Sequence, residues 1–146
     1  MSISGTPEAT NTTTNTPRGT INYAQATANQ TSISAEADLT SLTVTFTADS
    51  TRRYKITGQI LVQQLTSTGA ATGKITDGSS VEVQRFGHNA AFLANGVEVW
   101  HGTRVLSGIS GSVTYKLRAA TSAGTLSVLA DTTRPNFILV EDIGAA

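Results

Sequence analysis

The chain has 146 residues and a mass of 15.2 kDa, one domain's worth of sequence, and its 10 basic and 10 acidic side chains cancel to a formal net charge of zero. With 14% of residues charged and no basic excess, it is poorly equipped to neutralise phosphates, so neither nucleic acid nor an anionic membrane surface is an expected partner. Cysteine is absent, which excludes disulfides, thiolate metal sites and cysteine nucleophiles, and no run of about 18 apolar residues is present to cross a membrane.

Residues 1–19 read MSISGTPEATNTTTNTPRG, with Ile3 as the one large aliphatic side chain after Met1 and with Glu8 and Arg18 as the charges. There is neither the basic patch nor the apolar stretch of a secretory signal. Ordering 19 residues costs roughly 20–40 kcal/mol of backbone entropy, which so polar a segment cannot offset by burying itself. The expectation is an extended N-terminal arm that orders against a partner, with Ile3, Pro7, Pro17 and Arg18 as contact residues. A domain spanning residues 20–146 follows.

From Thr20 onward the pattern is β. INYAQATA (Ile21 to Ala28) reads as a first strand, and Thr31 to Ala35 as a weaker second. LTVTFTA places Leu42, Val44 and Phe46 on one face and Thr43, Thr45 and Thr47 on the other, the period of a half-buried antiparallel strand. In RYKITGQILVQQL, Tyr54, Ile56, Gly58, Ile60 and Val62 share a face while Leu61 and Leu65 fall on the opposite one, so part of this long strand is expected to be covered on both sides. STGAATG (Ser67 to Gly73) reads as a loop and TDGSS (Thr76 to Ser80) as a turn. Strands are expected at Val81 to Phe86, Ala90 to Ala94, Val97 to Gly102, Ser112 to Ala120, Thr125 to Ala130 and Asn136 to Asp142, with Asn95-Gly96 as a type I′ hairpin turn. About eight short strands joined by turns define an all-β class, a single jelly-roll-like antiparallel β-sandwich.

Candidate chemistry fails residue by residue. His88 sits in a turn-like FGHN and His101 follows Trp100, too far apart in sequence for a metal pair, although Glu98 could approach His101. Serines abound without the nucleophile-elbow spacing, and Gly69 to Ile75 lacks both the length and the hydroxyl of a phosphate loop. Glu141 and Asp142 point to opposite faces of a strand, while Glu82 and Glu98 could be cross-strand neighbours. Arg52, Arg53 and Lys55 open a strand, with Asp49 as the nearby acid. Trp100, the sole tryptophan, is expected in the core or at a subunit contact rather than on a sugar platform. No catalytic, cofactor or metal residues are assigned; the expectation is a protein that is not an enzyme and takes no cofactor.

The run LTSLTVTFTADSTRRYKITGQILVQQ, a hydroxyl-rich loop and the closing RPNFILVEDIGAA together resemble small virion proteins of tailed phages, particularly those infecting actinobacteria. The order of elements is also similar to the tumour-necrosis-factor-like jelly roll, which forms homotrimers. The likeness covers roughly residues 20–146. It implies a capsid decoration protein on the virion surface, partnered by itself as a homotrimer and by the major capsid protein; the alternative is a minor tail, tail-tip or head-fibre protein that binds host-surface carbohydrate. The closing strand is apolar on both faces, Phe137 and Leu139 on one and Ile138 and Val140 on the other. One sandwich covers one face, so this segment is the expected oligomer interface near a three-fold axis.

Overall fold

The computed structural model describes residues 19–146, and its regular elements are all strands. They are β1 (Gly19–Ala26), β2 (Gln30–Ile33), β3 (Ala37–Ala48), β4 (Arg52–Gln64), β5 (Gly69–Asp77), β6 (Glu82–Phe92), β7 (Val97–Leu106), β8 (Gly111–Thr121), β9 (Leu126–Leu129) and β10 (Asn136–Ala145). Two antiparallel sheets face each other. One runs β3-β8-β5-β6; the other runs β1-β10-β4-β9-β2, with β7 on the far side of β4. The long β4 explains the second arrangement: β10 pairs with its Arg52–Gln59 half and β9 with Leu61–Gln64, while β7 covers Tyr54 to Gln63 from the other edge.

Alternation decides which side chains go inside. Leu42, Val44 and Phe46 of β3 meet Ile56, Ile60 and Val62 of β4, Leu117 of β8 and Ile138 and Val140 of β10 in one core cluster. Removing these side chains from water, at about 1.5–3 kcal/mol each, drives the two sheets together.

Several local expectations need correction. Gly69 to Gly73 lies within β5 rather than in a loop, and Val81 to Ala94 is not two strands around a turn but the single strand β6 running through Gly87, His88 and Asn89. The cause is tertiary. Gly73 and Gly87 are paired across β5 and β6, and the Trp100 ring from the opposite sheet lies on them, so that a Cβ on Gly87 would stand 2.2 Å from the indole. The same two sheets touch at Gly102, where a Cβ would fall 1.9 Å from Cβ of Phe86. The β6–β7 reversal is also not type I′: Asn95 takes φ 64° and Gly96 donates its N–H to Leu93 O at 2.9 Å, but Gly96 does not adopt the left-handed region that type I′ requires of both central residues. Finally, β3 slips register between Asp38 and Thr43, with Ser41 at φ 64°; the Gln30 amide holds this bulge by donating to Asp38 O and accepting from Thr40 N.

Candidate interaction surface

On the outer side of the six-stranded sheet, register brings together residues that are distant in sequence. Tyr23 of β1 stands opposite Leu139 of β10, which stands opposite Thr57 of β4; one step along, Phe137 stands opposite Gln59, and Leu61 opposite Val99 of β7. Tyr23 is 46% exposed and Val99 63% exposed, while Phe137, Leu139 and Leu61 are half-buried. The Tyr23 and Phe137 rings lie 6.1 Å apart at 31° and form one wall of an open depression of about 460 Å³ floored by Gln59, Leu61 and Pro135. Two ion pairs lie on this face, Lys55 with Glu141 at 2.6 Å and Arg134 with Asp131 at 2.6 Å, while the exposed Arg53 bonds the Ala145 carbonyl oxygen at 2.9 Å. Hydrogen bonds from Thr133 and Arg134 hold the Asp131 carboxyl well below the usual carboxylate range.

The outer side of the four-stranded sheet has the opposite character. Lys116 and Arg118 of β8 reach Asp38 at 2.7 and 2.6 Å, Arg118 also bonds Glu36, Lys74 of β5 bonds Glu36 at 2.8 Å and Glu82 at 3.3 Å, and Arg85 bonds Glu82 at 3.0 Å. The chain of ion pairs thus crosses every strand of that sheet. The Lys116 bond lowers the Asp38 pKa, aided by Arg118 and opposed by desolvation; Arg85, with Lys74, lowers that of Glu82; and the Glu36 bond raises that of Lys74.

Of the four interface candidates on β10, the structure places Ile138 and Val140 inward with no exposed surface, so their side chains belong to the subunit's own core and are not available to a neighbour; Phe137 and Leu139 lie on the outer face. Ile3, Pro7, Pro17 and Arg18 lie outside the described residues. Glu82 and Glu98 do not converge: Glu82 serves Lys74 and Arg85, while Glu98 accepts from Asn89 Nδ2 at 2.7 Å and Trp100 Nε1 at 2.8 Å rather than approaching His101. Arg52 forms a buried ion pair with Asp142 at 2.8 Å. His88 lies on β6 with Nδ1 3.3 Å from the Thr72 hydroxyl, and among the described residues no three His, Asp or Glu side chains converge to hold a metal ion. Sequence reasoning found Phe137, Leu139 and the off-phase Leu61 but missed Tyr23 and Val99. Their signal was present in the alternation of β1 and β7 but needed the strand order to become one surface.

Neither a protein-family profile nor a curated protein sequence matches the chain. Among solved structures, murine APRIL is similar at a TM-score of 0.50 and 9% identity, over 87% of this chain and 100% of that one. Eiger TNF from S. frugiperda gives 0.44 at 12% identity over 89% and 96%. A chain of the infectious bursal disease virus Gx strain structure gives 0.44 at 13% identity over 85% of this chain, which spans 38% of that chain's length. At 9% identity the likeness to APRIL is one of fold, and the fold is an all-β, antiparallel jelly-roll sandwich.

Proposed function

We propose that the chain is a structural rather than catalytic protein of a bacteriophage virion, a homotrimeric knob that decorates the outer capsid surface with the major capsid protein as its partner. The observation that supports this reading is the contrast between the two outer faces. The centre of the outer face, built from Tyr23, Leu61, Val99, Phe137 and Leu139, is apolar, and the Lys55–Glu141 and Arg134–Asp131 pairs beside it are neutral overall, so identical copies can meet there with little like-charge repulsion. The ion-paired face of the other sheet is suited to water. Docking to the shell falls to the polar segment of residues 1–19, in which Ile3, Pro7, Pro17 and Arg18 are the proposed contacts.

Light scattering of the full chain at micromolar concentration is expected to give a trimer, Leu139→Asp a folded monomer, and the wild type, but not a chain lacking residues 1–19, is expected to sediment with undecorated capsids. A monomeric wild type would remove the homotrimer, and wild-type occupancy by the truncated chain would move docking to the knob. The depression beside Tyr23 and Phe137 favours a second reading, a tail or fibre protein that holds a sugar ring against those aromatics; glycan binding abolished by Tyr23→Ala would select it.

A further inference from the structure

We propose that β7 is a self-pairing edge: two copies of the chain join β7 to β7, antiparallel, with their His101 residues facing each other across a two-fold axis. This contact uses the main chain at the sheet's edge and shares only Val99 with the apolar face assigned above to the three-fold.

Unpaired strand edges are templates for another strand unless something blunts them. Each of the other edges here is blunted. β1 shifts register between Thr20 and Asn22, and Asn22 Nδ2 ties it to Thr45 O of β3 at 2.7 Å. β2 has 4 residues, β3 carries its bulge, and β6 shifts against β5 at three places. β7 has none of these devices. Its 10 residues run against β4 from Leu106 opposite Tyr54 to Val97 opposite Gln63 without a shift, it contains no proline, and among the described residues nothing pairs with its other side.

The sequence of this edge is complementary to itself. Antiparallel pairing centred on His101 sets Val97 against Val105 of the second copy and Val99 against Thr103, cross-strand pairs of β-branched side chains that favour a sheet. On the inward side of the strand it sets Glu98 against Arg104, while Trp100 and Gly102 stay packed on Gly87 and Phe86 of their own chain. The strand's acid and its base therefore meet with opposite sign twice per pair. Arg104 is exposed and makes no ion pair among the described residues. Glu98 is held in place by Asn89 and Trp100 yet retains acceptor capacity. A shift of one residue would set Glu98 against Val105 and Val99 against Arg104, and would put the outward row of one copy beside the inward row of the other.

Because the chain has no cysteine, one introduced thiol reports this geometry directly. Residues directly opposite in an antiparallel pair have Cα atoms about 4.5–5.5 Å apart, within disulfide reach. In the full chain under mild oxidation at low micromolar concentration, His101→Cys is expected to give a disulfide-linked dimer rapidly. Thr103→Cys alone should link at least tenfold more slowly, and a mixture of Val99→Cys and Thr103→Cys should give the mixed dimer. In the His101→Cys background, Arg104→Glu should slow linking severalfold. Equal rates for His101→Cys and Thr103→Cys, or no linked product from a His101→Cys chain with wild-type circular dichroism, would overturn the proposal. The two readings fail separately: uncross-linked trimers would refute the β7 pairing alone, and linked pairs of single chains would refute the three-fold alone.

Discussion

Gly87 has no side chain because the indole of Trp100 occupies the volume a side chain would need: a Cβ there would stand 2.2 Å from the ring, so something must shift to admit it. Gly87→Ala is expected to cost about 1–3 kcal/mol, the range of an overpacked core, read as an earlier urea midpoint followed by fluorescence of the single tryptophan. Two adjacent carboxylates on β10 make a second comparison at this scale. Asp142 is buried beside Arg52 and accepts a further bond from Gly144 N at 2.9 Å, so neutralising it removes one partner of a buried ion pair. Glu141 meets Lys55 in partial contact with solvent, where an ion pair is worth little. Asp142→Asn is therefore expected to lower the melting temperature well beyond Glu141→Gln.

For an element, β10 is the informative case because its two faces face different environments. Ile138→Ala removes a side chain with no exposed surface and should cost about 2–5 kcal/mol in urea unfolding, whereas Leu139→Ala on the outer face should leave that midpoint nearly unchanged and weaken self-association. The periodicity of such strands is legible in the sequence: Leu42, Val44 and Phe46 declare their face, and so do Ile56, Ile60 and Val62. β5 and β6 were not legible. Gly73 and Gly87 look like loop residues until an aromatic ring from the other sheet is known to need them, and no local pattern contains that information. The charged outer sheet was equally hidden, since Glu36, Asp38, Lys74, Glu82 and Arg118 are scattered along the chain and converge only through the order β3-β8-β5-β6. Its acids supply a pH dependence. The folded-state values of Asp38 and Glu82 lie below their ordinary ones, so their contribution is present above the ordinary carboxylate range and is lost as pH falls through it toward the depressed values. Stability should drop on acidification from about pH 5 to about pH 3, and less so in an Asp38→Asn, Glu82→Gln chain or in high salt, as screening of an exposed network demands.

Across the whole molecule, the jelly roll separates two kinds of surface that the sequence distributes evenly: a sheet face with an apolar centre and a sheet face crossed by ion pairs. The topology also fixes where the first and last described residues meet. Gly19 lies opposite Asp142, and Ala146 donates its N–H to Thr51 O at 2.8 Å, so both lie at the same end of neighbouring antiparallel strands. A pull applied between Gly19 and Ala146 would not load the β1–β10 ladder in shear, where its hydrogen bonds would resist together. It would open the ladder like a zip, one pair at a time from Asp142 toward Asn136, so β1 is the element that a tension between these two residues would peel away first, while the buried core behind it remained closed.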